Sequence, residues 1–322
     1  MSMATPVLII LTALRWVGAA RMPRALAQAG FEVTLLTPPG SLAEKSAYVA
    51  KIAYLPEKGT PETWVHAFAA TAKAMGARLI MPCDDNAFRL LQMLAKSPPE
   101  GLQPALHQEL ATLIAESLGD PAHYASSVDP SVLAAAVTAL GIGAPSVADI
   151  GNQVPGPGEV RSYQAAAWKG DLLVGFAGER VLDPPGSGVR TGVNRYYRSD
   201  ALRKIAAATA RGFGISGLFS MEGVFAEGGR FQILELNRRL LGGAHRGREF
   251  GVDHCAALYA ALHGLPPPGR VDLDEGEEQI CVSFPQEWLR DPESKWLRDY
   301  PVDVPWEEPE LFEAMLDLYP AR

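Results

Sequence analysis

Lysine is scarce in this sequence. Only eight of its 29 basic residues are lysines, and none lies between Lys96 and Lys169. The net charge is −8 and no basic block occurs, so there is no electrostatic footprint for nucleic acid. Cysteine is rarer still. Cys83, Cys255 and Cys281 are scattered and odd in number, with no C-x-x-C and no Cys/His cluster. That argues against a disulfide framework or a zinc site, and for a reducing, cytoplasmic compartment. No apolar run reaches the roughly 18 residues of a membrane span. The run Pro6–Leu14 has no basic residue before it and reads as a first strand rather than a signal peptide. The turn after it, Ala13–Gly18, lacks G-x-G-x-x-G, so backbone cannot approach a pyrophosphate closely and an NAD site is excluded.

What is present is a chain of 322 residues, 48% apolar and 20% charged, enough for two packed domains. Strand-like and helix-like segments alternate at first: Val7–Thr12, then Ala19–Ala29 ended by Gly30, Phe31–Thr37, Thr63–Met75 stopped at Gly76, Arg78–Pro82 and Asp84–Ala95. This alternation predicts βαβ units and a parallel sheet. Residues 102–150 read as helical and connective. From about Val160 the pattern becomes strand-rich: Val160–Trp168, a Lys169-Gly170 turn, Asp171–Phe176, a helix over Ala201–Phe213, and a hairpin of Leu218–Phe225 with Phe231–Asn237.

The hairpin carries the chemistry. Taking Gly228-Gly229 as a two-residue turn places Glu222 directly opposite Glu235. Asn237, two residues on, shares the face of Glu235. Like charges directly opposite are destabilising unless compensated, and a hard cation with oxygen ligands compensates them. A solvated hairpin face is the alternative, although Glu235 sits in Ile233-Leu234-Glu235-Leu236, a run typical of a buried strand.

Leu234-Glu235-Leu236-Asn237-Arg238-Arg239 resembles the signature strand of the ATP-grasp superfamily, Glu-x-Asn-Pro-Arg, with Arg238 in place of the proline. Other segments are similar to the same family in the same order: Met81–Asp85, Leu140–Pro145, Gln153–Glu159, Gly242-Gly243 and Gly251–Asp253. The likeness covers about residues 5–265. It implies an α/β architecture, a Rossmann-like parallel sheet followed by an α+β ATP-grasp-like domain. It implies ATP and Mg²⁺ as cofactors, with Glu222, Glu235 and Asn237 as metal ligands and Arg239 on phosphate as the catalytic cation. Glu159 and Arg161 would join Arg239 in nucleotide binding.

One departure is large. The family places a lid subdomain, with two phosphate-binding lysines, between the second and third of these motifs. Here seven residues separate Ser146 from Val154, inside the lysine gap. The chain therefore reads as 1–100 Rossmann-like, 101–152 a helical connection, 153–265 a truncated ATP-grasp-like domain and 266–322 a C-terminal extension. Arg161, Arg180, Arg190 and Arg239 are candidate substitutes for the lysines. If active, such a protein is an ATP-dependent carboxylate–amine or carboxylate–thiol ligase acting through an acyl phosphate on a small-molecule carboxylate. The alternative is a degenerate, catalytically inactive relative that binds a partner or metabolite. Family habit implies a homodimer.

Other candidates are ambiguous as sequence. His245 and Arg246 are either substrate contacts or a polar loop. His254 and Cys255 are either a nucleophile pair or structural. Asp84-Asp85-Asn86 caps a helix or faces a ligand, and Trp288, Trp296 and Trp306 are either packing or a platform.

Overall fold

The computed structural model describes residues 5–143, 160–182, 192–226, 228–240 and 242–318. Four short strands form the first sheet: β1 (Thr5–Ile10), β2 (Phe31–Thr37), β3 (Lys51–Tyr54) and β4 (Leu79–Pro82). They are parallel, in the order β3-β2-β1-β4. β1, β2 and β4 are apolar on both faces, as expected of a parallel sheet covered by helices. The edge strand β3 has no such pattern and three of its four residues are exposed, which is why the sequence did not reveal it.

The helix expected over Ala19–Ala29 is two helices, α1 (Val17–Ala20) and α2 (Met22–Ala29). Arg21 is the junction, and its guanidinium is buried. Gly30 ends α2 with φ +109°, a backbone state glycine adopts without a Cβ penalty. The remaining helices of this half are α3 (Pro61–Met75), α4 (Asp85–Lys96), α5 (Pro104–Leu118) and α6 (Pro130–Ala139).

The second sheet is antiparallel: β5 (Arg161–Trp168), β6 (Asp171–Leu182), β7 (Val193–Tyr197), β8 (Gly217–Phe225), β9 (Phe231–Asn237) and β10 (Glu278–Val282), in the order β10-β7-β6-β5-β8-β9. One face, through Tyr163, Ala165 and Phe219, packs on α7 (Asp200–Gly212) and α6. The other is apolar near Ala166 and Phe176, where it joins the core of the first sheet. It is polar further along. α8 (His254–Leu262) packs against β5, β6 and α2 and so connects the halves. Among the described residues, no helix is long and apolar enough to cross a membrane.

The chain then returns to its beginning. α9 (Gln286–Arg290) and α10 (Lys295–Asp299) lead to an extended stretch and α11 (Pro309–Leu318), whose Leu311 and Met315 are buried in the first core. Trp288 packs near Phe284 and against the first core, and Trp296 lies against Tyr300, whereas Trp306 touches Phe312 but is 72% exposed. In the stretch between α10 and α11, Asp303 meets three basic side chains. Arg21 lies at 3.0 Å, His245 Nε2 at 2.7 Å and Arg246 at 3.3 Å. Glu308, fully buried, meets Arg21 at 3.3 Å and accepts from the Ser46 hydroxyl. Burial alone raises the Asp303 pKa, but His245, Arg21 and Arg246 overcome that and hold it well below the usual carboxylate range.

A carboxylate depressed in the folded state stabilises fully above its unfolded pKa, near pH 4, and loses that contribution as pH falls below it. Asp303→Asn leaves buried guanidinium groups uncompensated and is expected to cost about 3 kcal/mol in urea unfolding at neutral pH. The same variant is expected to flatten the loss of stability on acidification below about pH 4. Unchanged unfolding at both pH values would show that Asp303 does not connect the two halves.

Candidate functional site

Pairing runs straight across five strands of the second sheet. Tyr196 is opposite Gly178, Gly178 opposite Ser162, Ser162 opposite Glu222, and Glu222 opposite Glu235. Side chains in one cross-strand row share a face. The neighbouring row on that face holds Gln164, Ser220 and Asn237. Glu222, Glu235 and Asn237 are therefore brought together, over a floor of glycine and serine.

The turn that achieves this is not the two-residue one expected. Ala226 N–H donates to the Arg230 carbonyl at 2.9 Å, and Gly228 and Gly229 both have positive φ. Phe225 pairs with Phe231, one residue out of the expected register. A bulge between Glu222/Glu235 and Gly223/Ile233 takes up Leu234 and restores it. The bulge has a second effect. Glu235 is not buried, as its apolar neighbours suggested, but 52% exposed, whereas Asn237 beyond it is buried.

Each of the paired carboxylates has an arginine near it. Arg180 lies 3.6 Å from Glu222 and Arg239 3.9 Å from Glu235. Arg239 bonds more closely to Asp85, the first residue of α4, and lies 6.0 Å from the Trp16 ring. Arg161 is a correction. It is one residue from Ser162, so strand alternation turns it to the opposite face, where it meets Glu179 at 2.9 Å. Glu159 and Arg190 lie outside the described residues, as do the whole Gln153–Glu159 motif and the short 146–154 segment.

Arg238, in place of the signature proline, has a structural role. It is 1% exposed, donates to the carbonyls of Phe213 and Asp120, and lies over the Tyr124 ring at 5.5 Å. Burial pulls its pKa down to about 10. It fixes the end of β9 to α7 and to the short helix after α5, which a proline could not do.

Beside the carboxylates a cavity of about 530 Å³ opens between the two halves. Its walls come from the loop after β1 (Trp16, Gly18), the start of α4 (Asp84, Asp85), the sheet (Gln164, Asn194, Tyr196), the turn after β9 (Arg239, His245, Arg246) and the C-terminal segment (Ser283, Gln286, Asp303). Two glycines let the halves approach: a Cβ on Gly18 would lie 2.6 Å from the Gly242 Cα. Asp84 is committed to structure. It caps α4 through Ala87 N–H and accepts from Thr12 N–H, Thr12 hydroxyl and Ala13 N–H. Cys281 also lines the cavity, with its thiol pushed up to about 11 by burial. Burial raises Cys255 further and lowers His254, so that pair is structural rather than nucleophilic. Among the described residues, no group of three or more His, Cys, Asp or Glu side chains is placed to hold a metal ion. The candidate donor set is two carboxylates and an amide. The contribution of Gln286 and Asp303 had no motif to announce it.

No family model matches the chain, and no curated protein matches it in sequence. Solved structures do match. An N5-carboxyaminoimidazole ribonucleotide synthetase solved as an ADP complex superposes with a TM-score of 0.60 at 12% identity, covering 86% of this chain and 81% of that one. A biotin carboxylase from Campylobacter jejuni, in a β,γ-ATP complex, gives 0.58 at 12% identity, covering 86% and 74%. An L-amino acid ligase from Bacillus licheniformis gives 0.54 at 14% identity, covering 81% and 75%. At these identities the likeness establishes the fold. The chain has an ATP-grasp-type fold: a Rossmann-like parallel sheet followed by a mixed α+β region.

The facing carboxylates have a measurable cost. Neutralising one, by Glu235→Gln, is expected to raise the stability of the ligand-free protein by about 0.5 kcal/mol in urea unfolding. A loss of stability would mean that Glu235 is held there by structural partners instead.

Proposed function

We propose that this protein binds MgATP on the polar face of its second sheet and uses it to activate a small-molecule carboxylate for ligation. The observation that carries the reading is the direct pairing of Glu222 with Glu235, beside Asn237, in an ATP-grasp-type fold. Their oxygens are hard donors, both side chains are partly solvent-exposed, and they fit Mg²⁺ brought in with a polyphosphate. Mg²⁺ held by Glu222, Glu235 and Asn237 would supply positive charge against the polyphosphate. The solved relatives in nucleotide complexes support the choice of ligand.

The chain's own residues have distinct tasks in this reading. Glu222 and Glu235 hold the cation, and Asn237 adds a neutral oxygen from a buried, fixed position. Arg239 stands where the carboxylate face meets the cavity, and it can exchange Asp85 for a phosphate oxygen. Arg180, on the same face, supplies positive charge that lid lysines supply elsewhere in the family. The cavity beside them is of small-molecule size.

A second reading has its own support. The absence of lysine from 97 to 168 removes the usual phosphate cations, which favours a relative that binds nucleotide or metabolite without turnover. Calorimetry with MgATP tests the first point. Binding at or below millimolar concentration is expected, weakened about tenfold or more in Glu235→Gln. No heat from a protein shown to be folded would overturn the proposal. ATP hydrolysis that disappears in Glu235→Gln decides for the enzyme, and nucleotide binding without hydrolysis decides for the inactive relative.

A further inference from the structure

A second cavity lies on the outer side of the signature strand. β9 is the last strand of the second sheet, and at its edge a space of about 360 Å³ is shared with the first half of the chain. Glu235 and Asn237 of β9, Asp85 and Arg89 of α4, and Ser127 and Asp129 before α6 line it. Two of the three candidate metal ligands therefore border this cavity, and none of them lines the larger one. Asp85 lines both, so the two cavities meet there.

The charged groups on its walls are not equally engaged. Asp85 is held by Arg239. Asp129 caps α6, accepting from Ser131 N–H, the Ser131 hydroxyl and Val132 N–H. Glu235 has Arg239 at 3.9 Å. Arg89 differs from all three. It is exposed, and among the described residues it makes no ion pair and no side-chain hydrogen bond. A helix arginine ordinarily pairs with an acidic residue one turn away, and Asp85 stands four residues before it. Asp85 is turned to Arg239 instead, which leaves the Arg89 fork unused. Ser127 Oγ is buried and also has no partner among the described residues. Buried polar atoms are rarely left unpaired. An unused guanidinium and an unfilled hydroxyl thus share one small cavity with two candidate metal ligands.

We propose that this edge cavity receives the polyphosphate end of the metal-bound ligand, that Arg89 is the guanidinium that clamps it, and that Ser127 donates a second hydrogen bond. The inference deepens the MgATP reading and rests on it for the identity of the nucleotide. It goes beyond that reading in the source of the charge. The cation that stands in for the absent lid lysines comes from α4, in the first half of the chain, and no sequence motif marks it. A guanidinium suits the task, because it stays charged and offers parallel N–H donors to two phosphate oxygens. The acidic neighbours do not consume it: Asp85 has Arg239, Asp129 has the first turn of α6, and Glu235 would face the metal ion. With Arg89 on α4 and Glu235 on β9, the phosphate site is complete only while the two halves are docked.

The test titrates the full chain by calorimetry with MgATP and, separately, with magnesium tripolyphosphate, which has the phosphates without the nucleoside. Arg89→Ala is expected to weaken both about tenfold. Arg89→Lys keeps the charge but not the fork, and is expected to recover part of the loss. Ser127→Ala is expected to weaken both less than Arg89→Ala does. Arg211→Ala, at an exposed position at the end of α7, controls for a general loss of positive charge and is expected to bind as the parent does. Arg89 is exposed and unpaired, so its variants are expected to unfold in urea at the parent's midpoint. MgATP bound equally by the parent and by folded Arg89→Ala would overturn this role and leave the nucleotide reading standing. An equal loss in Arg211→Ala would overturn it too. Tripolyphosphate bound through Arg89 by a protein that ignores MgATP would keep this site and remove the nucleotide reading. A folded parent that binds neither removes both.

Discussion

A single carboxylate holds the working parts of this protein in register. Asp303 meets Arg21 from the junction of the first two helices, and His245 and Arg246 from the turn after the signature strand. Three segments far apart in sequence thus share one low-dielectric contact. Buried ion clusters add little net stability over an apolar packing of the same volume, but they are demanding about geometry. Here the geometry is that of a cavity, and two of its walls, the turn holding His245 and Arg246 and the C-terminal segment holding Asp303 itself, meet in this contact.

The second constraint works against stability. Two glutamates are held face to face on a sheet, with Arg180 3.6 Å from one and Arg239 3.9 Å from the other. Like charges directly opposite are costly to a sheet. The arrangement suits a site whose ligand brings a cation with it. The small residues around the pair, Gly178, Ser162 and Ser220, leave room above them. Arg239, held by Asp85, joins this face to the cavity.

Much of this could be read in the sequence because it depends on local rules. Alternation predicted the parallel sheet, glycines marked the helix ends, and strand periodicity placed Glu222 opposite Glu235. The details failed where two local effects cancelled. The turn around Gly228 shifts the register by one residue and the bulge at Leu234 shifts it back, so the pairing came out correctly although the turn did not. The same bulge exposed a glutamate whose neighbours looked buried. Arg161 was a candidate substitute for the absent lysines, but one residue of alternation sends it to the other face. The short edge strand β3 and the break at Arg21 have no periodic signal. Least readable was the C-terminal segment. Its Asp303 matters through contacts with residues 57 to 282 positions away, and no spacing rule reports a contact of that range.

The central claim is that the facing glutamates form the metal corner of a nucleotide site. Anomalous scattering from manganese, in crystals grown with Mn²⁺ and a non-hydrolysable ATP analogue, tests it most directly. The account predicts a manganese peak between the carboxylates of Glu222 and Glu235, with the polyphosphate beside it. Nucleotide bound with manganese elsewhere, or with the two carboxylates bare, would contradict it.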